Sequence, residues 1–519
     1  MSAFRRPAVI FAAVFLLSAY FAGLGLSFIC EICSVFFLPV FIYYGISKKL
    51  YRKAFFVFII IFTLLYPGIH KNLREYKTDK IFDSLSGKKS FTATVIDISY
   101  NGKSINFYAD IFGKDGKNMG KAVFSGVYPD KLCDIYDCIY FEGKIHLINK
   151  DTVSKLSLYG NENFYFSKNC LFAVETESIT VLGRLPEDKR SLADSFYFYI
   201  SDNLKNKAPI IDGADPFSYI SALLMGNRSF LSNETKQVFS GSGLMPYLCV
   251  SGLHISLVTS ILIFILRILR IKGCLRFLIS SLFLIFICSV THFSGSVMRA
   301  SLMCFSVLLG ELAGKKYDRF VSLATALFII LVFNPFAFFD VGTQLSFLAM
   351  LGVCNSLYFV SARDFNKNGA SQKLKLPFLT SIMASSFVFV PLIFIFGGAY
   401  LLSPIANLPA LIFTPIMYLV VFMGIFAFFP KAILLPFGYV FSNLVLLFQK
   451  LAEGFAAVPF SYTKFPCPET LLFLFVFLLF FNILCISALG ERKIFYSGVF
   501  SSAVIYTSVF SMHLMKIIM

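Results

Sequence analysis

Apolar residues run through this chain in long unbroken blocks, interrupted once by an interval of shorter rhythm. A helix needs about 18 to 25 apolar residues to cross a hydrocarbon core of about 30 Å. Blocks of this kind fall near residues 8 to 28, 30 to 46 and 54 to 69, and others begin near 243, 277, 296, 320, 340, 376, 400, 431, 470 and 494. The pattern predicts a polytopic α-helical membrane protein of about 13 spans. Arg5 and Arg6 precede the first block as the charged end of a signal peptide would, but two more blocks follow closely, so it is read as a retained helix.

From about Phe91 the blocks give way to short β-rich runs bounded by turn residues. FTATVIDISY, Asn101-Gly102 and SINFYADIF read as a hairpin with a type I′ turn. KAVFSGVY, CIYFEGKIHLI and FYFSKNCLFAV read as three further strands, and five short strands suit a small β-barrel of the OB kind. Tyr100, Phe107, Tyr108, Tyr140 and Phe141 are then either base-stacking aromatics or barrel core, and the core reading is favoured because the interval has no net positive charge. Residues 187–240 read as amphipathic helices at the membrane surface. The predicted organisation is N-terminal transmembrane helices over 1–70, an exported OB-like domain over 71–186, interfacial helices over 187–240 and a transmembrane domain over 241–515.

Composition agrees with lipid as the main solvent: 57% of the 519 residues are hydrophobic and 14% charged, with a mean hydropathy of +0.76. The net charge of +17 has a specific location, because residues 71 to 215 hold 20 basic and 20 acidic side chains. The excess sits in alternate short loops, at Arg5/Arg6, Lys48/Lys49/Arg52/Lys53, Arg267/Arg270/Lys272/Arg276, Lys315/Lys316/Arg319, Arg363/Lys367/Lys373/Lys375, Lys431 and Arg492/Lys493. Cytoplasmic loops collect Lys and Arg, which puts the N-terminus inside the cell and exports the 71–240 interval. Most of the 12 cysteines lie in apolar blocks as small hydrophobes, Cys30 and Cys33 included. Cys133, Cys138 and Cys170 lie in the exported interval, where one disulfide is compatible with the compartment.

Polar residues inside spans are costly and mark interior positions. In GSGLMPYLCVSGLHISLV, Gly241, Gly243, Pro246, Ser251 and Gly252 interrupt a helix and His254 follows. Broken helices survive in a bilayer only where protein or a wet cavity satisfies the freed backbone. His254 is a proton relay, a ligand or a hydrogen-bonding tie between helices. In HFSGSVMRASLM, Arg299 lies inside a span, with Asp340 or Glu311 as the expected ion-pair partner, or else an anion such as phosphate. In FNPFAFFDVGTQLSFLAMLG, Asn334-Pro335 ends one helix, Asp340 caps the next, and Gln344 follows one turn later on its face. FGGAYLLSPIANLPALIFTP, with Asn407 among glycines and prolines, reads as unwound or re-entrant.

In this order and spacing, VSGLH, SVMRASLM, GKKYDRFVSLATALFIILVFNPFAFFDVGTQLSFLA and SPIANLPA resemble the competence region of ComEC proteins, the membrane channels of bacterial DNA uptake. The resemblance covers about residues 215 to 515. It implies a cell-membrane channel for single-stranded DNA, with Ser251, Gly252, His254, Arg299, Asp340, Gln344 and Asn407 as channel or substrate-contact residues and no cofactor. Implied partners are the lipid bilayer, a DNA receptor outside, a helicase-like motor inside, a separate nuclease and further copies of the chain. Two positions depart from the family pattern: Pro246 stands where a histidine is usual, and Thr343 where an aromatic is usual. With five histidines, no HxHxDH cluster and no GxxxxGK[ST], the chain is expected to be neither nuclease nor ATPase, and not an enzyme. Rival readings are a secondary transporter of a small solute, or an intramembrane enzyme using His254 with Asp340 or Ser251.

Overall fold

The structure, a computed structural model, describes residues 51–85, 90–101, 104–112, 118–129, 135–156, 162–176, 178–192, 216–226, 230–248, 250–291, 293–314, 317–360, 370–410, 431–458 and 462–464, with isolated positions elsewhere. The chain divides into two compact units, one of residues 11–196 with 328–343, the other of 1–10, 197–327 and 344–519.

In the first unit, helix α1 (Tyr51–Leu85) carries Pro67 inside it and leads to strands β1 (Ser90–Asn101), β2 (Ser104–Phe112), β3 (Asn118–Pro129), β4 (Asp137–Glu142) and β5 (Lys144–Leu147). Short helices α2 (Lys150–Lys155) and α3 (Glu162–Ser167) follow, then β6 (Cys170–Glu175) and β7 (Ser178–Arg184). The sheet has seven strands in the order β2-β1-β4-β7-β3-β6-β5, with a further β2–β3 pairing. Strands β1 and β2 form the expected hairpin, but Asn101 pairs with Ser104 and is thus the last ladder residue rather than a turn residue. The two joining residues lie outside the described ones.

Alternation explains the sheet's interior. Phe107 stacks on Phe124 at 4.4 Å, and Phe124 meets Phe141 edge-on at 4.9 Å. Both Phe107 and Phe141 are buried, which makes them core. Tyr140 turns its hydroxyl to Glu142. The sequence misassigns two stretches. CIYFEGKIHLI is two strands parted at Gly143, and FYFS, read as strand, is helix α3. β7 was not foreseen.

Cys133, Cys138 and Cys170 are free thiols. Burial pushes the Cys170 thiol up to about 12. Because the thiolate is the reactive species, maleimide is expected to label Cys170 at least 100-fold more slowly in the folded chain than in urea. Mass spectrometry of the Cys170 peptide reads the two rates, and equal rates would contradict this packing.

The second unit is helical. In the interval read as amphipathic helices over 187–240, three of the described pieces are α4 (Pro216–Ile220), a π-helical turn (Ser221–Met225) and α5 (Asn233–Gly241). Then come α6 (Gly252–Ile268), α7 (Gly273–Val290), α8 (Gly295–Leu312), α9 (Arg319–Phe333), which runs on into the first unit, α10 (Val341–Val360), α11 (Ala370–Phe396) and α12 (Lys431–Ala456). Three described helical segments are long and apolar enough to cross a membrane: Gly273–Val290, Gly295–Leu312 and Leu376–Phe396. His254–Ile268, Arg319–Phe333 and Val341–Leu357 are shorter apolar helices. The blocks predicted near 8 to 28, 30 to 46 and 494 lie almost wholly outside the described residues, as do Cys30, Cys33 and Pro415.

The breaks read from the sequence are present. A 3-10 turn (Met245–Leu248) separates α5 from α6. After α11 a short strand, β8 (Gly398–Tyr400), pairs with β9 (Tyr462–Lys464), and residues 403–410 resume as helix. At Gly352, a Cβ would stand 2.5 Å from the Met383 carbonyl oxygen, so α10 and α11 touch there backbone to backbone.

Candidate functional site

The first turn of α6 is held by its own side chains. Ser251 is the extended residue before the helix, and the Nδ1 of His254 accepts the Ser251 backbone N–H at 3.0 Å. This is the back-reaching half of a capping box, a place usually filled by Glu or Gln. In an apolar setting an imidazole does it without placing a carboxylate in lipid. The bond requires Nδ1 unprotonated, which fixes the proton of neutral His254 on Nε2. His254 is 1% exposed. This bond is local, within the start of α6.

Arg299, on the second turn of α8, points at that same turn. Its Nε donates to the Ser346 Oγ on α10 at 2.8 Å, and Nη1 lies 3.9 Å from the Met303 Sδ. A Cβ on Gly252 would stand 2.7 Å from Nη2, so glycine at this position leaves room for the guanidinium against the first residue of α6. Arg299 is 8% exposed. The ion pair expected from the sequence is not formed: among the described residues no carboxylate pairs with Arg299. Glu311 instead accepts from Arg267 at 2.9 Å and Arg276 at 2.7 Å. That group tethers the ends of α6, α7 and α8 at an exposed surface, where such pairs contribute little.

Asp340 belongs to the other unit, where it caps a helix and meets a lysine. Its Oδ2 accepts both the backbone N–H and the hydroxyl of Thr343 at 2.9 Å, capping α10. Its Oδ1 lies 2.7 Å from the Lys168 Nζ. Thr343, the departure from the usual aromatic, is thus part of the cap. Beside it, Asn334 donates to the carbonyls of Ser167 at 3.0 Å and Phe166 at 3.3 Å, while Arg74 donates to Phe166 O at 2.8 Å and Cys170 O at 3.0 Å. Together they satisfy the last carbonyls of α3, a helix end where donors and cations are favoured. Phe166 packs edge-on against Phe336 at 5.6 Å. The NPFAFFD segment is therefore a socket for α3. Asp340→Ala is expected to lower stability by about 1 to 2 kcal/mol, and Asp340→Asn by less, because Asn retains the cap acceptor. Thermal unfolding of the detergent-solubilised chain checks this, and equal losses would contradict the cap.

Asn407 donates to the Ser381 Oγ at 3.2 Å, tying the resumed helix to α11, and its carbonyl accepts the Tyr247 hydroxyl at 3.5 Å. Gln344 is half-buried on the first turn of α10. Of the seven residues expected at the site, Ser251, Gly252, His254 and Arg299 come together. Ser346 was missed, although it stands inside the quoted QLSF stretch.

Apolar spanning helices, broken at a buried cationic junction, define the class as an integral membrane protein. Residues 223–489 match the family model described as Competence protein, and the chain belongs to that family. It is 30% identical over 133 residues to ComE operon protein 3 of Bacillus subtilis (strain 168), an alignment covering 26% of this chain and 17% of that relative's length. No solved structure matches.

Proposed function

We propose that this chain forms the membrane channel that admits single-stranded DNA during natural transformation. The observation that carries the reading is Arg299, a cation buried among apolar helices with no carboxylate partner among the described residues, in a chain of the competence family. Phosphates do not enter hydrocarbon unaccompanied, and a conducting path needs matching positive charge along it. The basic loops support a topology with the N-terminus in the cytoplasm and residues 71–240 outside. The pairings β1–β2, β2–β3, β3–β7, β7–β4 and β4–β1 run in a cycle, which supports an OB-like character for the exported domain. With Phe107 and Phe141 in its core, that domain acts as a positioning element rather than a stacking platform. The chain is read as a conduit without catalysis, served by an outer DNA receptor, an inner helicase-like motor and a separate nuclease, with self-association open to it. His254 engaged at a helix start fits that reading better than a general base.

The test is import of end-labelled DNA into the nuclease-protected cytosolic fraction. Cells with the intact gene are expected to accumulate one protected strand and deleted cells none. Unchanged import in the deletion would end the proposal.

A further inference from the structure

The contact between Arg299 and the start of α6 joins two positive groups. A helix N-terminus carries about half a positive charge and exposed N–H donors. Against it lies a guanidinium that cannot deprotonate, aimed so closely that a Cβ on Gly252 would stand 2.7 Å from Nη2. A third neighbour is Ala300, 3.4 Å from the same position, which offers no charge. The bonds Arg299 makes, to Ser346 Oγ and weakly to Met303 Sδ, are to neutral groups. His254 presents an accepting Nδ1 to the Ser251 N–H, which makes it the neutral Nε2–H tautomer, so it brings no negative charge to the turn. A buried charge without a counter-charge is costly by several kcal/mol, and a second positive group beside it raises that cost. Among the described residues no carboxylate offsets this charge, and an anion at the α6 start would.

We propose that Arg299 and the N-terminus of α6 hold one phosphodiester group. The chemistry favours a tetrahedral oxyanion: guanidinium offers a planar fork to two oxygens, and a helix start offers backbone N–H groups to a third. Ser346 holds the Nε edge and so orients the fork, while Gly252 keeps the approach open. A strand and a phospholipid headgroup both carry this group. Assignment to a strand rests on the channel reading above; the phosphodiester itself does not.

The experiment uses the full chain purified in a maltoside detergent, which has no phosphate, with fluorescein-labelled oligothymidylate as probe. Each phosphate contact on a single strand contributes about 0.7 to the slope of log affinity against log salt. Arg299→Gln is expected to flatten the wild-type slope by about 0.7, Arg299→Lys to retain it with weaker binding, and Ser346→Ala to weaken binding with the slope kept. In parallel, lipid phosphorus is measured in wild type and Arg299→Gln prepared with phosphatidylglycerol. A slope change assigns the group to the strand. Lipid phosphorus lost only from the variant assigns it to a headgroup. Neither change overturns the proposal while leaving the channel reading intact, whereas wild type that does not bind the oligonucleotide sinks the strand assignment alone. Should Arg299→Gln fail to fold, the Arg299→Lys and Ser346→Ala slopes decide: a change in slope with the charge retained contradicts the site.

Discussion

Replacing Arg299 by alanine is expected to reduce DNA import to the level of the gene deletion while the protein still reaches the membrane. The reasons separate function from folding. Arg299 neutralises no carboxylate among the described residues, so its removal leaves no buried anion behind. Ser346, the partner it abandons, sits on a helix where a hydroxyl can turn back to the carbonyl four residues earlier. What is lost is the one buried cation described among α6, α8 and α10. Lysine retains the charge but not the planar fork, so Arg299→Lys is expected to import on the order of 10- to 100-fold less than wild type rather than none, one charge-assisted hydrogen bond being worth about 1.5 to 3 kcal/mol. Protected label per cell, normalised to the immunoblotted membrane level, reads both variants. Import by Arg299→Ala at the wild-type level would remove the residue from the mechanism.

Gly352 should give the opposite phenotype, loss of the protein itself. A Cβ there would lie 2.5 Å from the Met383 carbonyl oxygen, 2.7 Å from its carbon and 2.9 Å from the Ala384 Cα, all backbone atoms that no rotamer change relieves. A close carbon-to-oxygen contact is about 3.3 Å, so α10 and α11 must part by most of an ångström even for alanine. Separation would loosen helix–helix packing in lipid, where close approach through small residues is a principal attraction. Gly352→Ala is expected to cost about 1 to 3 kcal/mol and Gly352→Leu more. Fluorescence-detected size exclusion of the solubilised chain should show a reduced, heat-labile peak for alanine and none for leucine. A monodisperse leucine variant would mean that the two helices do not touch as described.

The sequence made the breaks in the membrane half legible, because Gly and Pro act through the local backbone. Gly241 and Pro246 mark the interruption before α6, and Asn334-Pro335 the end of α9, where they stand in the structure. Asp340 as a cap was likewise readable, since a cap acts three residues away. Partners remote in sequence were not. Expectation gave Arg299 a carboxylate because charge pairing dominates such reasoning, whereas folding brought the hydroxyl of Ser346, 47 positions away. Lys168 as the partner of Asp340 was equally invisible. Helix α3 was misread as strand because Phe164, Tyr165 and Phe166 favour sheets in isolation. Tertiary packing overrode that preference: the Phe166 ring lies under the Arg74 guanidinium at 4.7 Å and against Phe336. The exposed Glu311 cluster was legible as a run of basic loop residues but not as a three-helix tether.

That this chain alone supplies the path is tested most directly in liposomes that enclose a quenched complementary probe. With purified chain in the bilayer, a short single strand added outside is expected to light the probe, while liposomes with Arg299→Ala stay at the bare-lipid baseline. A wild-type signal no higher than bare lipid, from chain that is folded and inserted, would contradict the account.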